Sequence, residues 1–400
     1  MRPFKAKTNR VCCINLSKYI KLSVLVILAV CPLLFFLNIS SKTPRLVGKM
    51  AKVKCVERKH RQPNLLHGLY VGYVGAGNLG DDILVESAEI LMQNEFQANG
   101  QSVFFTFYTP TDSCKKYGWD FARFDFVVIG GGSSLWTSYL CVLQHINPKT
   151  QGLFLYGSGY DDYKRQTQNN PALIPAIRAG TATFDVQPIL AEQIQLLGSF
   201  LSYHGGVRGP HSKNLINHAC SNCHVNVTGD AGLLMSTLHP AKLTKKDVYK
   251  IFDLSEKLPY IFANCAKMMM KNYAYGTNDA ASERNFVDSM SVILEMGFHI
   301  VLFPMWVGEV EFMKQVAAKI SIKASKTTDA RCISLSTVPD ISIISSFMTH
   351  SHSVISYRLH GQILAAAYGK PLIAVAYGFK TFDFMDMVGI GEYIVRADEL

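Results

Sequence analysis

The 400-residue chain contains no Asp-x-Asp triplet. Divalent ions that bridge substrate phosphates are held by closely placed carboxylates, so this absence argues against a metal-bridged nucleotide-sugar site. Acidic residues are almost missing from the first 61 positions, which hold fourteen Lys/Arg and only Glu57. The remainder holds 26 Lys/Arg against 29 Asp/Glu. The net charge of +10 therefore belongs to the N-terminal tail, and the body lacks the basic excess that a nucleic-acid face needs. Cys220-Ser221-Asn222-Cys223 has no second paired cluster. Zinc is thus a weak reading even with His218 and His224 nearby, and a small disulfide loop or two free thiols fit better. There is no internal repeat.

What is present begins with an uncharged apolar run from Leu22 to Leu37, extending to Ile39 if Asn38 is admitted. Its length is near the roughly 20 residues that span a bilayer. No small-x-small cleavage site follows it, which favours an uncleaved anchor over a signal peptide. Lys7, Arg10, Lys18 and Lys21 precede the run, and Lys42, Arg45, Lys49 and Lys52 follow it, so charge alone barely orients it. The expected organisation is a cytosolic tail at 1–21, an anchor at 22–39 and a stem at 40–65. An N-terminal α/β domain at 66–235, a polar linker at 236–258 and a C-terminal α/β domain at 259–400 follow. Asn38-Ile39-Ser40 and Asn226-Val227-Thr228 are glycosylation sequons if the body is lumenal.

Within the body, apolar strand-like runs end in glycine-rich turns. Leu69 to Val74 leads into Gly75-Ala76-Gly77-Asn78-Leu79-Gly80-Asp81-Asp82, and a helix is expected from Ile83. Phe124 to Ile129 leads into Gly130-Gly131-Gly132-Ser133-Ser134, and Gly152 to Tyr156 into Gly157-Ser158-Gly159. Strands alternating with helices predict a mostly parallel sheet. Gly75-x-Gly77-x-x-Gly80 has the strand-turn-helix context of a dinucleotide fingerprint, yet no acidic partner about 20 residues on is evident. A tight turn that lets a helix pack on a sheet is an equal explanation.

The richest segment is Ser356-Tyr357-Arg358-Leu359-His360-Gly361, between the buried strand Ser353–Ser356 and a small-residue helix expected from Ile363. Leu372 to Tyr377 forms the next strand. Arg358 and His360 thus sit at the carboxyl end of a strand in a β-α-β unit, where open α/β sheets bind ligands. Arg offers a fixed fork of donors for phosphate or carboxylate, and His can exchange a proton near neutral pH.

Taken in order, four segments resemble the polysaccharide pyruvyl transferase family. They are Val71 to Asp82 with its G-x-x-N-x-G-D turn, Val127 to Ser133, Val207-Arg208 with Ser212, and Ser356 to His360 followed by Lys380. Two departures stand out: Gly209-Pro210-His211 where an acid is common, and Gly378-Phe379 where Asp-Pro is frequent. The resemblance implies two Rossmann-like domains facing across a cleft, the glycosyltransferase B-type arrangement. It implies transfer of the pyruvyl group of phosphoenolpyruvate onto two sugar hydroxyls, forming a cyclic ketal. The chemistry of such a donor points to His360 as acid/base and to Arg358 and Arg208, from opposite domains, as catalytic cations. Gly75, Gly77, Asn78, Gly80, Asp81, Gly131, Gly132, Ser133, Gly159, Leu359 and Lys380 would bind substrate, and Tyr156 to Tyr160 would face the acceptor. No metal or cofactor beyond the donor is expected. Anchored members would act in the Golgi as type II proteins on glycan termini, commonly galactose. Two rivals are a B-type glycosyltransferase using a nucleotide sugar and an inactive, anchored glycan-binding protein.

Overall fold

The computed structural model describes residues 64–110, 120–162, 166–201, 203–266, 275, 279–324 and 329–400. The tail, the apolar run and nearly all of the expected stem lie outside them. Among the described residues no helix is long and apolar enough to cross a membrane.

The chain builds two parallel sheets. The first contains β1 (Leu65–Val71), β2 (Ser102–Tyr108), β3 (Phe126–Ile129), β4 (Gly152–Ser158), β5 (Tyr203–Val207) and β6 (Val225–Val227), in the order β2-β1-β3-β4-β5-β6. The second contains β7 (Tyr260–Asn264), β8 (His299–Leu302), β9 (Cys332–Ser334), β10 (Ser353–Ser356), β11 (Leu372–Ala376) and β12 (Ile394–Arg396), in the order β12-β11-β10-β7-β8-β9. Inner strands such as Phe126–Ile129 and Tyr260–Asn264 are buried throughout, as expected where both faces of a parallel sheet are covered. Strand order reverses between β1 and β3, and again between β7 and β10. Such reversals open a crevice at the strand carboxyl ends. Asn226 lies on β6, at the edge of the first sheet, and is exposed.

Five helices position the site. Helix α1 (Leu79–Ala98) begins earlier than the expected Ile83 because Asn78 caps it, its Oδ1 accepting the Gly80 N–H at 3.1 Å. Asp81 and Asp82 occupy its first turn, where carboxylates suit the positive end of the helix dipole. Helix α2 is Pro210–Ala219, with Pro210 in its first turn, where the missing N–H costs nothing. Helix α3 (Lys245–Phe252) corrects the reading of 236–258 as a polar linker. Thr244 and Asp247 form a capping box. Val248, Tyr249 and Phe252 share one face, and the two rings pack on Tyr260 and Phe347 of the second core. Helix α4 (Leu359–Ala367) starts at Leu359 rather than Ile363, with Arg358 in extended conformation before it. His360 is therefore in its first turn. Helix α5 is Lys380–Met387.

The halves interlock. Phe379 and Phe382, at the start of α5, pack into the core that holds Leu135, Phe184 and Ile194 of the first half. In return Leu79 and Ile83 of α1 join the core of Phe262, Phe303 and Ile363. Each such ring or branched side chain removed from water stabilises the arrangement by about 1.5–3 kcal/mol.

Candidate active site

The two sheet crevices open onto one cleft of ≈ 250 Å³. The first half lines it with Tyr73, Asn78, Asp81, Gly131 to Ser134, Trp136, Tyr139 and Asp161. The second half adds Met305, Arg358, Leu359, His360, Tyr377 and Lys380. Of the residues singled out in the sequence, Asn78, Asp81, Gly131, Gly132, Ser133, Arg358, Leu359, His360 and Lys380 meet here. Gly75, Gly77, Gly80, Gly159 and Arg208 do not line it. Gly77 has a positive φ of 67° and lies against Val307, so it serves the contact between halves.

Arg358 sits where β10 hands over to α4. Asn264, at the end of β7, accepts the Tyr357 N–H through its carbonyl and the Arg358 N–H through Oδ1, each at 3.2 Å. The guanidinium Nε donates to Glu309 Oε1 at 2.5 Å, and the other oxygen of this buried carboxylate accepts the Met305 N–H at 2.9 Å. Glu309 thus fixes one edge of the arginine fork. Lys380 ties the second half to the first: Nζ pairs with Asp161 Oδ2 at 3.1 Å, and its N–H donates to Asp161 Oδ1 at 3.3 Å.

His360 packs on α1 at Gly80, where any added Cβ would overlap the imidazole Nδ1. Its Nε2 is buried without a hydrogen-bond partner. Burial, then the positive charges of Arg208, Lys380 and Arg358, push its pKa down to about 3. The cleft thus holds a neutral imidazole. Asp81 moves the other way. Burial, with Asp82 adding to it and Lys380 opposing, raises its pKa to about 7. Behind the cleft, burial raises Asp230 to about 6 against the pull of Arg208, and Asp230 Oδ2 has no hydrogen-bond partner.

Arg208 was expected to face the cleft; its side chain is instead fully buried. Nη2 donates to the Tyr160 carbonyl at 3.2 Å, and Nε lies 3.6 Å from Asp383 Oδ2. Nε and Nη1 have no hydrogen-bond partners. Gly159 is required beneath it, since a Cβ there would overlap the guanidinium. Asp383 of α5 also accepts from the His211 N–H at 2.9 Å, the Ser212 N–H at 3.2 Å and the Ser212 Oγ–H at 2.6 Å. Arg208 is therefore part of the seam between halves, although its charge still bears on His360. Tyr156 and Tyr160 do not line the cleft either. Tyr160 is buried against Phe184, and the chain between them turns at Gly157 with φ 65°.

Cys220 and Cys223 form a disulfide. Among the described residues no group of three or more His, Cys, Asp or Glu is placed to hold a metal ion. Sequence reasoning missed Glu309, Asp161, Trp136 and Tyr139. Glu309 had one local signal, an acid at the head of a helix after the β8 strand. The aromatic pair had none, because their segment reads as an ordinary loop.

A family model described as "Polysaccharide pyruvyl transferase" matches residues 78–378. No curated protein matches the chain significantly. Among solved structures, the S. aureus MnaA–UDP co-structure is 11% identical, with 78% of each chain covered and a TM-score of 0.45. A glycosyltransferase from Rickettsia africae is 11% identical, covering 80% of this chain and 82% of that one, with a TM-score of 0.47. The E. coli ADP-heptose lps heptosyltransferase II is 12% identical, covering 82% and 89%, with a TM-score of 0.36.

Proposed function

The chain belongs to the polysaccharide pyruvyl transferase family, and from that premise we propose that it transfers the pyruvyl group of phosphoenolpyruvate to two hydroxyls of a glycan sugar, closing a cyclic ketal. The observation that carries this reading is the convergence of Arg358, His360 and Lys380 on one wall of the cleft, with Asp81 on the other. Phosphoenolpyruvate carries a phosphate and a carboxylate on a three-carbon frame. Arg358, held by Glu309, suits one group as a bidentate donor, and Lys380 suits the other as a point charge.

Burial first, and then the cations, keep His360 deprotonated. The donor's negative charge would offset the cations, so donor binding would draw a proton onto the imidazole. His360 then protonates the methylene carbon while Asp81, as carboxylate, takes the proton of the attacking hydroxyl. The new C–O bond forms at the central carbon. Phosphate leaves with its bridging oxygen, the second hydroxyl closes the ring, and that hydroxyl's proton is released with the phosphate. The two hydroxyl protons account for the one gained by the methyl group and the one carried off. Buried Arg208 supports this wall through its charge. We further propose a Golgi or other secretory-pathway location, with the 22–39 run as anchor and the body lumenal.

The test is incubation with phosphoenolpyruvate and a glycan panel, read by phosphate release and by mass spectrometry for a gain of pyruvate minus water. His360→Asn should keep donor binding and lower turnover by roughly 10²–10⁴. Release of a nucleoside diphosphate from a nucleotide sugar, with no reaction of phosphoenolpyruvate, would replace this reading with glycosyl transfer.

A further inference from the structure

The walls of the cleft differ in chemistry. The cations Arg358 and Lys380, and with them the imidazole of His360, come from the second half. The first half supplies the carboxylates Asp81 and Asp161 and three aromatic rings, Tyr73, Trp136 and Tyr139. Trp136 lies in extended backbone just before the short helix Thr137–Leu140, which carries Tyr139. Tyr73 follows β1 across the reversal of strand order and is 45% exposed, although it is a large ring. Asp81 and Tyr73 both act electrostatically on the Tyr139 hydroxyl, so these groups form one cluster rather than separate surface rings.

We propose that Tyr73, Trp136 and Tyr139 form the acceptor subsite and that this subsite selects an uncharged sugar ring. The proposal rests on the pyruvyl-transfer reading and adds the acceptor's chemistry to it. A pyranose has an apolar face of C–H bonds, which suits the electron-rich face of an aromatic ring. Its hydroxyls project sideways, where Asp81 can accept from one of them. Rings of this kind also lose little conformational freedom on binding. A sulfated or uronic sugar would bring a second negative charge beside Asp81, the carboxylate of this wall that is not in the Lys380 ion pair. Like charges brought together in a contact disfavour the partner that carries them. The wall therefore recognises by stacking and rejects by charge, while the opposite wall attracts the anionic donor.

The experiment uses the full chain purified in detergent and a set of neutral methyl hexosides, their 6-sulfates and a methyl glucuronide. Glycoside binding is measured by calorimetry without donor, and phosphoenolpyruvate binding separately. At least one neutral glycoside should bind, with its sulfate about tenfold weaker or worse. Trp136→Ala and Tyr139→Ala should each weaken the neutral glycoside about tenfold while leaving phosphoenolpyruvate affinity unchanged. Trp136→Phe and Tyr139→Phe, which keep a ring, should stay near the parent. If the Ala variants fail to fold, the exposed Tyr73→Ala and the neutral-against-sulfated comparison on the parent decide the matter. Equal binding of neutral and sulfated glycosides, or ring removal that leaves glycoside binding intact, overturns the proposal. If phosphoenolpyruvate does not bind while glycosides still require Trp136, the donor reading fails and the subsite stands.

Discussion

Asp81 and His360 face one another in function and titrate in opposite directions. In the free enzyme, which kcat/KM reports, Asp81 keeps a proton up to about pH 7 and His360 is neutral above about pH 3. The proton that one must lose is the one the other must gain, so kcat/KM should be level below pH 7, with a falling limb that begins there. Asp81→Asn should remove that limb and lower turnover by roughly 10²–10⁴. A profile of the variant that still bends near pH 7 would assign the base elsewhere. Stability follows the opposite sense. Asp81's folded pKa lies above its ordinary value, so the folded state keeps a proton that the unfolded chain gives up. This group therefore lowers stability as pH climbs from about 4 to about 7. The asparagine variant should consequently melt higher than the parent at pH 8. His360, with a folded pKa of about 3, supports the fold fully above pH ~6.5, and its contribution is lost as pH falls from there. Arg358→Lys keeps a charge but loses the fork that Glu309 orients, and should weaken donor transition-state stabilisation by about 2–4 kcal/mol in kcat/KM. The Arg-x-His pair was legible because a strand, a turn and a helix surround it. The proton affinity of Asp81 was not, since it arises first from burial, with Asp82 and Asp230 adding to it against Lys380, and the burial and the distant charges exist only in the fold.

At the level of elements, α5 does the least expected work. Its run Phe379 to Phe384 shows no single apolar face, because one side meets the first core and the other the second. Helical periodicity presumes one buried face, so no helix was anticipated there. A different limit hid α3: Val248, Tyr249 and Phe252 do share one buried face, but the Lys-rich surface around them reads as a linker. The glycine turns were legible, since each follows a run of buried strand residues. Asp383→Ala should destabilise the protein by about 3–5 kcal/mol, the usual effect of leaving a buried partner such as Arg208 unpaired. Urea unfolding would measure it. Asp386→Ala, which breaks the more exposed pairs with Arg178 and His211, should cost nearer about 1 kcal/mol. Equal losses at the two positions would show that Asp383 merely decorates the helix.

For the whole molecule, two parallel α/β halves could be read from alternation of strands and helices, and the reversals of strand order explain why the motifs converge. How firmly the halves hold each other could not be read, because that depends on contacts such as Asp161 to Lys380 between residues far apart in sequence. If the 22–39 run anchors a lumenal body, protease added to sealed microsomes should leave the body intact until detergent is added; digestion without detergent would refute the lumenal placement. The contact between Gly80 and His360 bears on the gap itself. Glycine is a poor helix former, and alanine within a helix is favoured by about 0.5–1 kcal/mol, yet a Cβ here would collide with the imidazole. Gly80→Ala should therefore act as a shim: one methyl group in the first turn of α1 props the two halves apart. The expected signature is lower turnover, as the donor wall and the acceptor wall part, together with a lower melting temperature, because the interlocked cores part with them: one carbon atom sets the width of the gap.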